Sequence, residues 1–170
     1  MLKEKVEKAL NNQLLIEADS SQIYLAMASW AENNGLGGTA KFLYQHSDEE
    51  RTHMLKLIRY INERGGKAII PALPKPKTDF KNLNNLFQIL LDHETMVTNK
   101  INDLVEICLK EKDYTTQNFL QWYVSEQIEE EALAKSIIDK LNMIGSDKSG
   151  LYMFDRDIEA ISSQINNSNP

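Results

Sequence analysis

Glu50-x-x-His53 places a carboxylate and an imidazole three residues apart, inside Asp48-Glu49-Glu50-Arg51-Thr52-His53. On a helix, residues at i and i+3 share a face and lie about one turn apart, so both side chains can reach one ion. The same face carries Leu43, Ser47, Met54, Leu57 and Ile61, a core stripe. A carboxylate and an imidazole in such a stripe are costly to bury without partners. Other segments offer matching groups at mid-length. Glu17 interrupts the stripe Val6, Leu10, Gln13, Leu14, Ser21, Tyr24, Leu25 and Ala28, and Glu94 interrupts Leu83, Leu86, Leu90, Val97, Ile101, Leu104 and Cys108. Gln127 and Glu130 fall in the stripe Phe119, Tyr123, Ala134, Ile137 and Leu141, flanked by Glu126 and Glu129. Clustered carboxylates repel when ionised, and two divalent cations would neutralise them. Oxygen donors with one imidazole suit Fe(II), Mn(II) or Zn(II) and disfavour sulfur-seeking metals.

The elements that must position these groups are helices. Only 7 Gly and 4 Pro occur in 170 residues, and three of the prolines lie in residues 71–76. The 3–4 spacing predicts helices over about 4–33, 39–64, 83–112 and 114–143, with Thr39 and Asp113 as N-caps and Gly65-Gly66 as a stop. Pro71, Pro74 and Pro76 keep residues 66–81 out of any helix. A connection of that length spans the ~40 Å of a 26-residue helix, as parallel second and third helices require. Ala68, Ile69, Ile70 and Leu73 are expected to pack it along the bundle. Leu151, Phe154, Ile158 and Ile161 predict a short fifth helix over about 148–165, docked on the bundle end or on other subunits, followed by a fraying tail from Asn166 to Pro170. The expected fold is all-α: one domain over 1–170, a four-helix bundle over 4–143, with a long crossover between helices 2 and 3.

Composition narrows the function classes. A net charge of −6 argues against a nucleic-acid surface and suits cations. The single Cys108 leaves no internal disulfide and no four-cysteine metal site, and reads as a buried free thiol. No apolar run approaches a membrane span of ~18 residues, and the start of the chain has no apolar signal region, so a cytoplasmic protein is expected. His93 is one position off the Glu94 face and is expected at the surface. Glu131 is expected to be solvated.

The helix-4 frame Gln127-Ile128-Glu129-Glu130 replaces a second Glu-x-x-His, which makes the expected centre asymmetric. The expected division is Glu17, Glu50 and His53 on one metal, and Glu50, Glu94 and Glu130 on the second, bridged by Glu50. Tyr24 is within reach of a ligand hydrogen bond.

These motifs, with Asn118-Phe119-Leu120-Gln121-Trp122-Tyr123-Val124-Ser125-Glu126-Gln127 and Gly150-Leu151-Tyr152, closely resemble the bacterial non-haem ferritins over nearly the whole length. The resemblance implies a hollow homo-oligomeric shell of about 24 copies. It implies a ferroxidase: Fe(II) is oxidised by O₂ or H₂O₂ at a di-iron centre and stored as hydrated ferric oxide, without haem. It matches Glu49, Glu126, Glu129 and Glu130 to a third iron site, Gln127 to a glutamine beside the centre, and Trp122 and Tyr24 to aromatic residues with a potential electron-donor role. Ile128 stands where close relatives often carry His, off the ligand face. Arg51 and the missing second Glu-x-x-His separate the chain from haem-containing bacterioferritins. The alternatives are a metal-free structural bundle whose carboxylates form hydrogen-bond networks, and a shell serving mainly peroxide detoxification.

Overall fold

The computed structural model describes the backbone of residues 2–165 and the side chains of residues 2–158. Five helices follow in order: α1 (Glu4–Asn33), α2 (Gly37–Glu63), α3 (Leu83–Lys110), α4 (Tyr114–Ile144) and α5 (Lys148–Ile165), with no strand among the described residues. The bounds lie within two residues of those expected from periodicity. The expected tail from Asn166 to Pro170 lies outside the described residues.

Hydrogen bonds across the ends fix the directions. Leu2 N donates to Arg64 O, so the start of α1 meets the end of α2 and the two are antiparallel. Arg64 pairs with Asp113, at 3.4 Å, and Tyr60 Oη donates to Thr116 Oγ1 at 2.9 Å, so the end of α2 meets the start of α4. The tight turn after α3 puts its own end there too, which makes α2 and α3 parallel. The connection after α2 therefore runs the length of the bundle, as expected. Of its apolar residues Ala68 packs against the core as expected, but Ile69 and Ile70 do not bury: they are 60% and 70% exposed. Polar bonds hold its first turn instead. Asn11 accepts from Ile69 N (2.7 Å) and donates to Lys67 O (3.1 Å), and Glu7 accepts from Lys67 N (3.0 Å). At the far end Phe80 buries edge-on against Trp30.

The core is two apolar clusters with a polar layer between them. One joins Tyr24, Met27, Phe42, Leu43, Leu86, Phe87, Ile137 and Leu141 to Phe154 and Ile158 of α5. The other joins Leu10, Leu14, Leu57, Ile61, Ile101, Leu104, Cys108, Leu120 and Tyr123. Leu25, expected in the α1 stripe, is 42% exposed, because the residue after Tyr24 is turned about 100° from it.

Two caps illustrate local and distant control of helix starts. Asp113 caps α4 as expected, accepting from Thr116 N at 3.0 Å and Thr116 Oγ1 at 2.8 Å. Thr39 does not cap α2. That helix starts earlier, after Leu36, which offers no side-chain acceptor. Asp155 of α5 takes the role from across the fold. Its oxygens accept from Gly38 N at 3.1 Å, Thr39 N at 2.8 Å and Thr39 Oγ1 at 2.8 Å. A Cβ on Gly38 would stand 1.7 Å from the Asp155 carbonyl oxygen, so only glycine admits this approach.

Candidate metal centre

The polar layer between the two clusters contains the residues picked out by spacing. Glu17, Glu50 and His53, from α1 and α2, are buried and their ligand atoms lie within 4.8 Å of one another. His53 Nδ1 stands 3.6 Å from Glu50 Oε2 and 3.9 Å from Glu17 Oε2. Gln13, one turn before Glu17, donates to Glu17 Oε1 at 2.8 Å and orients it. Tyr123 donates to the His53 carbonyl at 2.8 Å, which ties α4 to α2 at this level.

Glu94 enters from α3. Tyr24 donates to its Oε1, and Gln127 Nε2 donates to its Oε2 at 3.0 Å. Both expected neighbours of the centre thus hold the same carboxylate. Gln127 also reaches Thr98 Oγ1 at 3.3 Å, and Thr98 donates to Glu131 at 2.5 Å. Glu131 is therefore half-buried and bonded, where a solvated side chain was expected.

Glu130 of α4 faces a residue that spacing did not single out. His46 Nε2 is 3.0 Å from Glu130 Oε2, and His46 Nδ1 is 2.9 Å from Glu49 Oε2. These three residues form a second group with ligand atoms within 4.8 Å. His46 stands four residues before Glu50 on the same stripe, and that position was the available signal. Glu130 Oε2 is at ion-pair distance from His46 but makes no well-aligned hydrogen bond, so this buried acceptor keeps capacity for a further partner. Such an oxygen suits a cation ligand. Of the other two residues matched to a third site, Glu126 is half-buried and Glu129 exposed, and neither joins the His46 group. His93 is not at the surface. It is half-buried, bonded to Ser20 Oγ at 2.8 Å and edge-on to Tyr24.

Burial sets the electrostatics. It pushes Glu17 well above the ordinary carboxylate range, with the Glu50 charge adding to it. Burial and then Glu94 do the same to Glu50. Glu94 is raised to about 7, by burial and then by Glu130. Burial alone would raise Glu130 too, but the paired His46 brings it below its ordinary value. Burial opposes a charge on His46, yet Glu130 and Glu49 raise it well above an ordinary imidazole. In the metal-free protein, then, protons hold part of the cluster neutral and a histidine serves as its internal cation. Carboxylates kept this close can hold a hard divalent metal once those protons leave.

Aromatic rings flank the layer from both clusters. Trp122 meets the His53 ring edge-on at 5.0 Å, and Tyr24 lies between His46 and His93 at 5.8 and 5.9 Å. Ile128 points away and is 69% exposed. Cys108 is buried, with its thiol pushed up to about 11 by burial, away from the centre. No described helix is long and apolar enough to cross a membrane.

Known proteins resemble this chain in sequence and fold. The family model for the ferritin-like domain matches residues 7–144. A probable bacterial non-heme ferritin-like protein of Haemophilus influenzae is 47% identical over 164 residues, covering 96% of this chain and 99% of the relative. The bacterial non-heme ferritin of Campylobacter jejuni is 45% identical over 161 residues, covering 95% and 96%. The open-pore ferritin of Archaeoglobus fulgidus superposes with a TM-score of 0.92 at 39% identity, covering 93% of this chain and 96% of that one. By sequence and by fold, the chain belongs to the ferritin-like domain family, among the bacterial non-haem ferritins.

Proposed function

We propose that this protein is an iron-storage ferritin with ferroxidase activity, cytoplasmic, and assembled as a homo-oligomeric shell of about 24 copies. The observation that carries this reading is the buried layer of Glu17, Glu50, His53, Glu94 and Glu130, contributed by four helices and short of counter-charge. Iron is the substrate. Glu17, Glu50 and His53 receive one Fe(II); Glu50, Glu94 and Glu130 receive the second. Hard carboxylate donors favour Fe(III) over Fe(II), which promotes electron loss. Each of two Fe(II) gives one electron to O₂, which with two protons becomes H₂O₂. The ferric product passes on to hydrated oxide in the cavity.

The chain's own residues prepare that step. Gln13 fixes Glu17, while Tyr24 and Gln127 fix Glu94. His46 releases Glu130 and Glu49 as metal enters. Entry of metal also displaces the protons held by Glu17, Glu50 and Glu94. By the family resemblance, Glu49, Glu126, Glu129 and Glu130 would receive a third iron.

The test is aerobic addition of Fe(II) to metal-free protein, with Fe(III) absorbance followed over time and the product sized and assayed for iron. Rapid oxidation with iron retained in a shell-sized particle is expected. Glu50→Ala is expected to abolish fast oxidation, and His53→Ala or Glu94→Ala to slow it. Rates within about twofold of wild type for all three would remove the assigned centre.

A further inference from the structure

Trp122 is the large, oxidisable ring nearest to His53, with 5.0 Å between ring centroids and 82° between planes. Its face is covered. Lys56, one turn beyond His53 on α2, places its Nζ 3.2 Å from the indole centroid. Glu126, one turn beyond Trp122 on α4, favours the charged form of the same ammonium against the burial that opposes it. The same Nζ is 5.9 Å from the Tyr123 ring. Tyr24 is placed differently. Its hydroxyl donates to Glu94, so a proton acceptor stands ready if the ring loses an electron, and its ring packs against His46 and His93.

A cation on the face of an indole is attracted to the neutral ring and repelled by the ring's radical cation. We propose that Lys56 is a positioning residue that guards Trp122: seated on the indole face, it disfavours electron loss from that ring, so oxidising equivalents arising at the centre are met by Tyr24 instead. This proposal departs from the donor role that family resemblance suggests for Trp122. The threat is concrete when H₂O₂ meets a single Fe(II). One electron passes from iron to peroxide, giving Fe(III), hydroxide and a hydroxyl radical. That radical takes one electron from the indole, giving a second hydroxide and the indole radical cation. Lys56 acts against this last transfer.

The purpose of the guard rests on the ferroxidase reading, but its physical basis does not, so the test uses no iron. Metal-free protein is exposed to a photogenerated ruthenium(III) one-electron oxidant. Oxidation of Trp122 is then read by peptide mass spectrometry against Trp30, which packs on Phe80 away from the centre. Lys56→Leu is expected to raise the Trp122-to-Trp30 ratio at least about threefold, and Lys56→Arg, which keeps a cation over the ring, to leave it within about twofold of wild type. Lys56→Gln serves as a second neutral variant if the leucine form does not fold. A ratio below threefold in the neutral variant overturns the proposal. So does an arginine variant that oxidises like the neutral one, because the cover and not the charge would then be responsible. Failure of iron oxidation in the wild type would count against the ferroxidase reading and leave this result untouched.

Discussion

Replacing Glu94 by glutamine should make the metal-free protein more stable at pH 8, although it removes a side chain held by two hydrogen bonds. In the folded chain the Glu94 carboxyl is raised from 4.5 to about 7, by burial and then by the Glu130 charge. For an acid raised on folding, the associated stability is fully present below the unfolded value of 4.5 and is lost as pH climbs through about 7. At pH 8 the difference corresponds to a penalty of roughly 3 kcal/mol per subunit. Glutamine removes the charge. Its oxygen can still accept from Gln127, and its amide can donate to the Tyr24 oxygen, so the loss is confined to weaker bonds of about 1 kcal/mol. The net gain is about 2 kcal/mol, or about 6 °C in melting temperature for a chain of this length. The measurement is calorimetric melting of metal-free wild type and Glu94→Gln at pH 8 and pH 5, at matched protein concentration. The gain should be present at pH 8 and absent at pH 5. A variant less stable at pH 8, or an equal shift at both pH values, would show that Glu94 is not a strained carboxylate. With Co(II) added the order should reverse, because the variant lacks a proposed ligand.

The same protonation governs metal affinity. Co(II) binding should weaken about tenfold from pH 8 to pH 6 through Glu94 alone and release protons as it proceeds; titration with a pH indicator checks this, and binding independent of pH would contradict it. Gly38→Ala should force α5 off the start of α2, costing about 3 kcal/mol or more and exposing α5 to protease, because the added Cβ meets backbone at 1.7 Å. Asp155→Ala, which removes only the cap, should cost about 1–2 kcal/mol and leave α5 docked.

Periodicity read the helices well because it reports what each helix turns toward the core. The stripes of α1 to α4 carried Glu17, Glu50, His53, Glu94, Gln127 and Glu130 to mid-length, and all six are buried in one layer. The crossover was legible from the prolines and the length of the connection. Features that depend on a distant partner were not. Thr39 looked like a cap because its type fits the role, but the acceptor that starts α2 belongs to Asp155, far along the chain. His93 was placed outside by its angle from Glu94, while Ser20 and Tyr24 of α1 are what draw it in. Ile69 and Ile70 suggested packing by their apolarity, yet main-chain bonds to Asn11 and Glu7 fasten the crossover. His46 was on the right stripe, but only the fold puts Glu49 and Glu130 on its two nitrogens.

The separation of the core into two apolar clusters has a mechanical consequence. Helices ordinarily fray from their ends. Here both ends of the bundle are closed by greasy contacts, while the waist holds mutually repelling acids. Without metal the weak section of the subunit is therefore its middle, and amide exchange should be faster around Glu17, Glu50, Glu94 and Glu130 than one or two turns to either side. Two cations bound there would act as rivets through four helices at once, joining two half-cores into a single stiff beam. In the proposed shell, loading iron would then brace the wall of its own container.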